Sequence, residues 1–403
     1  MSDAATPPTA LHRLRQSNAE RVLDCLRRHG RLSRAEIAEH SGLSRTTLST
    51  ILSGLLRRGT VVQEEGRPQN RRGRPTALLT LNPSAGQYAG VELGRHRLRM
   101  VIADAAHQVQ AREELPYGAA RSAGARLALA ERSLRDLAAR HGITLEALTG
   151  IGVGSTGPGE AVSAPASGLA ESVRAGRARV ADRLARAFGV RVDADNNSRL
   201  TALAEATRSG AGGDLLYVHF SHGVGGGLII GGQLVRGVGG VAAEVGHLCV
   251  DPGGAACWCG GHGCLELHAS VPALLRTTGH RNWAVLRDAL ERGRAAEQEA
   301  VRAAGAHAGN ALAAMCTAVN PGRIVLGGEL ADLGEAFQRP LRDALAGRGM
   351  RALRRIDIST SSVAPWGGAL GGLALALRES PLLARYPVPA DAGGDPDAAA
   401  GAQ

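Results

Sequence analysis

The densest chemistry in this 403-residue chain lies in one stretch: His247, then Cys257-Trp258-Cys259-Gly260-Gly261-His262-Gly263-Cys264. Half of the six cysteines fall inside it, and in a reducing compartment such clustering favours a metal over disulfides. Three thiolates and an upstream imidazole make a tetrahedral Cys3His set for zinc, and the glycines between them let the loop wrap an ion. With all four positions filled by protein, the zinc would be structural. Cys249, His262 and His268 are rival ligands. Glu244 precedes the loop and Glu266 follows it, so a bound metal would draw two carboxylates and an imidazole edge together. Carboxylates beside a cleft suit paired hydrogen bonds to sugar hydroxyls. The competing reading makes them surface acids or supports for the metal ligands.

A second kind of chemistry sits at the N-terminus. Residues 1–82 hold 14 Arg against 7 acids, a net +7, and the remaining chain holds 33 Arg against 30 acids, a net +3; there is no Lys. That asymmetry points to a polyanion partner. Ser44 caps a helix with Leu48, Ile51, Leu52 and Leu55 at i, i+3, i+4 and i+7, which pins one face to the domain. The outer face carries Ser44, Arg45, Thr46, Thr47, Ser49 and Thr50, short donors and acceptors that fit a DNA major groove with the helix N-terminus near a phosphate. The loop Gly66–Pro75 adds Arg67, Arg72 and Arg74. Its Arg72-Gly73-Arg74-Pro75 is similar to the AT-hook core, in which a thin backbone lets Arg enter a narrow A·T minor groove; the alternative is a solvated linker touching phosphates.

These groups need elements to hold them. Asn18 is expected to cap a helix with Val22, Leu23 and Leu26 inward, ending at Gly30. Ser33-Arg34-Ala35-Glu36 is a capping box opening a short helix. A tight turn at Ser41-Gly42-Leu43 leads to the Ser44 helix, and strands at residues 60–63 and 77–81 complete a winged helix-turn-helix. Beyond it the pattern is α/β: a hairpin from Tyr88 to Ala103, helices at 126–140, 180–188, 199–208, 296–320 and 367–377, and strands at 151–154, 190–193, 215–220, 227–230 and 323–326. Glycine-rich turns after several strands suit two lobes closing on a ligand.

Composition bounds the possibilities. A 44% hydrophobic fraction supports a large core and excludes global disorder, and the length calls for two or three domains. Only 2% of residues are aromatic, against a binder that stacks single-stranded bases on rings. No apolar run reaches the roughly 18 residues that span a bilayer, and Met1–Ala10 lacks a signal-peptide core. A cytoplasmic protein without a membrane partner is expected.

Several motifs together resemble the ROK family of sugar kinases and transcriptional repressors, over roughly Asn18 to Leu377. They are Glu244-Val245-Gly246-His247 with the cysteine loop and Leu265-Glu266, Gly223-Val224-Gly225-Gly226-Gly227, and Asn320-Pro321-Gly322-Arg323-Ile324-Val325-Leu326-Gly327-Gly328. The order winged helix, Gly-Arg-Pro loop, ROK domain is similar to the repressor branch. The resemblance implies an actin-like, hexokinase-like two-lobed α/β fold, structural zinc on His247, Cys257, Cys259 and Cys264, and sugar contacts from Asn196, Glu244, His247 and Glu266. It divides the chain into a DNA-binding domain at 1–82, a ROK sensor domain at 83–380 and a disordered tail at 381–403.

Departures from the kinase pattern shape the expected function. Where family kinases carry Gly-x-Asp-x-Gly-Gly-Thr near ATP phosphates, this chain has Gly90-Val91-Glu92-Leu93-Gly94-Arg95-His96. The second phosphate loop, usually Gly-Thr-Gly, is Ser221-His222-Gly223. The pattern Asn-Asp-Ala-Asn reads Asn196-Asn197-Ser198-Arg199, so an amide stands where the general base belongs. A shift of register would instead place Asp195 there. The family's sugar-binding Ala-Pro-Asn-Leu is Ala164-Pro165-Ala166-Ser167-Gly168. The expectation is a non-enzymatic repressor, a homodimer or homotetramer, that binds an operator in double-stranded DNA and senses a sugar or sugar derivative. The alternatives are a sugar kinase with an accessory DNA-binding domain, and a regulator with a ligand-free dimerisation scaffold.

Overall fold

The computed structural model describes residues 18–378, apart from 20, 24, 27, 28, 58, 65–76, 107, 119–121, 157–168, 209–212, 349 and 351–354. The tail and the Gly66–Pro75 loop, with Arg67, Arg72 and Arg74, lie outside the described residues, as does Ala164–Gly168.

The N-terminal domain is built on local signals. An opening helix buries Val22, Leu23 and Leu26, and Gly30 closes it in a left-handed conformation. Asn18 and Ala19 are already helical, so Asn18 is not the cap expected of it. Strand β1 (Leu32–Ser33) comes next, then α1 (Arg34–Ser41). The capping box is complete: Ser33 Oγ accepts from Glu36 N–H, and Glu36 Oε2 accepts from Ser33 N–H at 2.7 Å. Gly42 turns the chain with φ 62°, and α2 (Arg45–Arg57) buries Leu48, Leu52 and Leu55. Strands β2 (Val61–Glu64) and β3 (Leu78–Leu81) pair antiparallel, and β1 adds to the other edge of β3. At the exit Asn82 donates to Gly59 O at 2.7 Å and accepts from Ser84 N–H, which anchors the end of the wing.

Two sheets of the same design make up the rest of the chain. The first contains β4 (Gln87–Leu93), β5 (Arg97–Asp104), β6 (Val109–Pro116), β7 (Leu148–Ser155) and β8 (Arg191–Asn196), in the order β6-β5-β4-β7-β8. Helices α3 (Ala123–Arg140) and α4 (Leu169–Phe188) belong to this lobe, and α5 (Asn197–Arg208) leaves it. The second contains β9 (Leu215–Phe220), β10 (Val224–Ile230), β11 (Gln233–Val235), β12 (Arg323–Gly327) and β13 (Asp357–Thr360), in the order β11-β10-β9-β12-β13. Each sheet begins with an antiparallel meander and adds two parallel strands on its other side. Helices α6 (Val271–Thr278), α7 (Trp283–Glu291), α8 (Ala295–Val319) and α9 (Glu335–Arg348) support the second lobe, and α10 (Gly367–Arg378) closes the domain. Strand β10 begins at Val224, three residues before the expected start, so the glycines at 225–227 are strand residues; side chains there would strike Ser198, Ala243 O and Ala202.

The lobes are joined by exchanged helices. Helix α5 starts at the end of β8 in the first lobe and packs on β9 and β10 of the second, while α10 comes after β13 and packs on β4 and β7 of the first. The two helices also pack on each other. A methyl at Gly90 would overlap Ala369 O, one at Gly152 would overlap Gly372 O, and one at Gly371 would overlap Leu200 O. Glu205, 3% exposed, accepts from Ser361 Oγ, from Ser362 N–H and Oγ, and from Val363 N–H, which ties α5 to the segment after β13. Among the described residues no helix is long and apolar enough to cross a membrane.

Candidate functional site

The cysteine loop hangs between short backbone pairings. Cys249 bridges to Cys264 and Ala256 to His262 in antiparallel fashion, and Leu265 N–H donates to Leu248 O. Inside the loop Cys257 N–H donates to Gly261 O, and Gly263 takes φ 58° with its Cα against the Asp251 carbonyl, where only glycine fits. This fold brings His247, Cys257, Cys259 and Cys264 together, their ligand atoms all within 4.8 Å of one another. His247 Nδ1 lies 3.6 Å from Cys257 Sγ, and Cys259 Sγ lies 3.6 Å from Cys264 Sγ. All six cysteines are free thiols. The rival ligands Cys249, His262 and His268 stand outside the cluster, and the His268 ring packs on His307 at 4.5 Å instead. Burial pushes the Cys257 thiol up and the Cys264 thiol to about 12. A soft divalent cation displaces such protons, and this donor set fits one.

The loop also positions the carboxylates. Trp258 packs edge-on against His247, with ring centroids 4.8 Å apart, and its Nε1–H donates to Glu266 Oε1 at 2.8 Å. Glu266 Oε2 accepts from Val224 N–H at 2.9 Å. Nothing in the sequence marked Trp258 for this role. Glu244 turns the other way: its Oε1 accepts from Arg199 at 2.8 Å, and burial raises its carboxyl pKa despite that arginine. Asn196 Oδ1 accepts from Ser198 N–H and so serves the start of α5. Asn196, Glu244, His247 and Glu266 thus belong to one region, but Asn196, Glu244 and Glu266 already have side-chain oxygens engaged by protein.

Asp195 is sealed at 1% side-chain exposure beneath three guanidiniums: Arg236 at 2.7 Å, Arg199 at 3.3 Å and Arg177 at 3.5 Å. Burial works to raise its carboxyl pKa, but Arg177 and Arg236 outweigh it and hold the group below the ordinary Asp value. Three donors leave this carboxylate unsuited to accept a proton from a substrate hydroxyl. Asn197 faces the junction with the first lobe, donating to Leu93 O at 3.3 Å, while its Oδ1 is buried beside Gly154 without a partner. Further along the cleft, burial raises the pKa of Glu92, which pairs with Arg99 at 3.0 Å. Arg95 and His96 project from the β4–β5 turn, and the His96 ring meets His222 of the second lobe at 5.4 Å. The two stretches that correspond to a kinase's phosphate loops therefore carry bulky side chains, and two of these rings approach each other across the lobes.

On the N-terminal domain, Arg45, Thr46 and Ser49 are exposed along the outer face of α2. Ser44 and Thr47 are partly committed to the helix start: Ser44 Oγ accepts from Thr47 N–H and lies 2.9 Å from Thr47 Oγ1.

The charge network generates a pH prediction. A carboxyl whose folded pKa is depressed stabilises the fold above its unfolded value and loses that contribution as pH falls through the folded one. Asp195→Asn should cost about 3–5 kcal/mol near neutrality, because it leaves buried guanidiniums uncompensated. In denaturant titrations the gap between wild type and variant should be constant above about pH 4, the ordinary Asp range, and shrink below it. A gap that does not change with pH would show that Asp195 contributes through packing alone.

Comparison with known proteins places the chain among its relatives. The ROK family profile matches residues 88–379, and that of the IclR helix-turn-helix domain matches residues 17–65. The DNA-binding transcriptional repressor Mlc of Escherichia coli is 25% identical over 92% of this chain and 95% of its own length. The xylose repressor of Caldicellulosiruptor bescii is 26% identical over 91% and 96%. The E. coli dual regulator NagC is 26% identical over 91% and 93%. A solved ROK family transcriptional regulator, a homologue of E. coli Mlc, aligns over 90% of this chain and 95% of its own, with 20% identity and a TM-score of 0.71. The ROK hexokinase of Thermus thermophilus aligns over 72% of this chain and 98% of its own, with 25% identity and a TM-score of 0.60. The kinase therefore shares the two-lobed part alone, whereas the regulators extend over the helix-turn-helix as well, and this chain belongs to the ROK family with an IclR-type helix-turn-helix domain ahead of the family domain.

Proposed function

We infer that the protein is a sequence-specific transcriptional repressor whose ROK domain senses a sugar or sugar derivative without phosphorylating it. The observation that carries this reading is the union in one chain of a recognition helix with Arg45, Thr46 and Ser49 exposed and a kinase-like cleft with an amide, Asn197, in the place of the base. Relatives that span both domains include a xylose repressor and an N-acetylglucosamine repressor, which supports it. The DNA-binding unit is residues 1–82, with Ser44, Arg45, Thr46, Thr47 and Ser49 at the operator and Arg67, Arg72 and Arg74 reaching along the flanking groove or backbone. The sensor is residues 83–380, with Asn196, Glu244, His247 and Glu266 around the effector. Effector binding biases the angle between the lobes, and in a homodimer or homotetramer that changes the spacing of the recognition helices, which must match half-sites about 34 Å apart. The protein acts in the cytoplasm, where the operator is.

Zinc on His247, Cys257, Cys259 and Cys264 would act as a structural cross-link. The cluster, Trp258 and Glu266 form one mechanical unit, so loosening the loop frees Glu266. The kinase reading is disfavoured by Asn197, by the arginines over Asp195 and by the His96–His222 contact.

Three measurements test these statements. A protein lacking residues 1–82 should lose most operator affinity, and Arg45→Ala should weaken it by about 1–3 kcal/mol and relax base preference at one position; unchanged affinity and salt slope on truncation would refute the DNA assignment. Elemental analysis should find about one zinc per chain. Cys259→Ser should lose both the metal and the effector response, and a variant that keeps both would remove zinc from the site. With ATP and common hexoses, N-acetylhexosamines and pentoses, turnover should stay far below the roughly 1–100 s⁻¹ of kinases, and Asn197→Asp should restore little because the phosphate cradle is still filled. Turnover in that range would make the protein an enzyme.

A further inference from the structure

Cys249 is the one exposed thiol of the six; Cys25, Cys257, Cys264 and Cys316 are buried, and Cys259 is half-buried. It is not a member of the His247 cluster, yet it stands directly across from one of the members, Cys264. Two backbone bonds flank that pair: Leu265 N–H donates to Leu248 O and Val250 N–H to Gly263 O, both at 2.9 Å. Bonds made by the residues on either side, with none joining Cys249 to Cys264, define the non-hydrogen-bonded kind of antiparallel pair. In that kind the two side chains leave the same face and the Cα atoms lie about 4.5 Å apart. A disulfide asks for Cα atoms roughly 4.4–6.8 Å apart, so it fits such a pair with little movement of the backbone. The register is well held, because Gly263, next to Cys264, packs against the Asp251 carbonyl with no room for a side chain. Cys264 itself has extended backbone, with φ −64° and ψ 146°. The arrangement is an accessible thiol with a partner sulfur opposite it, and that partner is a ligand in the donor set for zinc.

We propose that Cys249 and Cys264 form a reversible disulfide under peroxide, which withdraws Cys264 from the metal cluster and opens it. The proposal rests on the zinc reading above and adds a regulatory thiol to that site. In the first step hydrogen peroxide transfers one oxygen to the exposed Cys249 sulfur, its O–O bond breaks, and a sulfenic acid and water result. In the second the Cys264 sulfur attacks the Cys249 sulfur with the electron pair it gave to the metal. The S–S bond forms, the S–O bond breaks and hydroxide leaves. Two electrons pass in all from the two sulfurs to the peroxide, and a dithiol returns them by thiol–disulfide exchange. The cluster is left with His247, Cys257 and Cys259, one ligand short of a closed structural site. Glu266 lies two residues beyond Cys264 and is held by Trp258 of the same loop, so the oxidised loop loses the support of that carboxylate.

The test uses the full-length protein, purified reduced, with its zinc measured by elemental analysis before oxidation. Hydrogen peroxide is then added beside a chromogenic zinc chelator, and free thiols are counted. Peptide masses are mapped without reduction. The expected result is the loss of two thiols, a cross-linked peptide pair holding Cys249 and Cys264, and transfer of zinc to the chelator at least tenfold faster than without peroxide. Dithiothreitol and added zinc should restore the starting state. Cys249→Ser and Cys249→Ala should keep their zinc when reduced and lose it to the chelator under peroxide at least fivefold more slowly than the wild type. Equal rates in wild type and variants would overturn the proposal, as would a disulfide confined to Cys257, Cys259 and Cys264. Cys249 oxidised or capped while Cys264 keeps its thiol would overturn it too. The peptide map of the wild type decides the disulfide whether or not the variants fold. Absence of zinc before oxidation would overturn the zinc reading and with it the opening of the cluster, an outcome distinct from a zinc-loaded protein that releases its metal independently of Cys249.

Discussion

Backbone-to-backbone contact between the exchanged helices α5 and α10 and the sheets they cross is the constraint on which the rest of this molecule depends. Gly90 and Gly152 of the first sheet and Gly371 of α10 have no room for a methyl, because carbonyls of the opposing segment occupy that volume. Such contact leaves no room for a side chain at the lobes' shared axis, where packed interiors resist compression. Glu205 adds a polar pin at the far end of α5. The start of the same helix delivers Asn196, Asn197 and Arg199 to the cleft, so the geometry of the site is inherited from the packing of the hinge.

The cluster of His247 with three cysteines bears on a different problem. The segment from Glu244 to Glu266 has little regular structure and is held by short backbone pairings, which a cross-link would reinforce. A four-coordinate ion on His247, Cys257, Cys259 and Cys264 is well suited, because its coordination energy does not depend on buried apolar area. Trp258 converts that cross-link into a functional position by standing against His247 and bonding Glu266. Loop, ring and carboxylate are coupled, and the effector response should track the integrity of the loop.

The cleft departs from what phosphoryl transfer asks of this fold. Catalysis of that reaction needs space for phosphates and a proton acceptor aligned with the hydroxyl. Here Arg95, His96 and His222 stand in the corresponding stretches, an amide stands where the acceptor belongs, and the adjacent carboxylate lies locked under arginines. Binding and lobe closure require none of the missing parts.

Sequence alone determined the features set by neighbours along the chain. The capping box at Ser33 and Glu36, the apolar stripe of α2, the closing turn at Gly42 and the close spacing of the cysteines all arise within a few residues, where local hydrogen bonding and helical period decide the outcome. The family resemblance extended that reading to the two lobes. Local signals misled where context overrode them: Asn18 reads as a cap yet lies inside a helix, and Gly225 and Gly226 read as a turn yet form a strand pressed against α5 and Ala243. The choice of His247 with three cysteines over Cys249, His262 and His268 needed the fold of the loop, because all seven are close in sequence. Only the tertiary structure placed Arg177, Arg199 and Arg236 on Asp195, since they come from two helices and a loop with no shared motif. Electrostatic balance in a buried site depends on distances through space, and no periodicity along the chain encodes them.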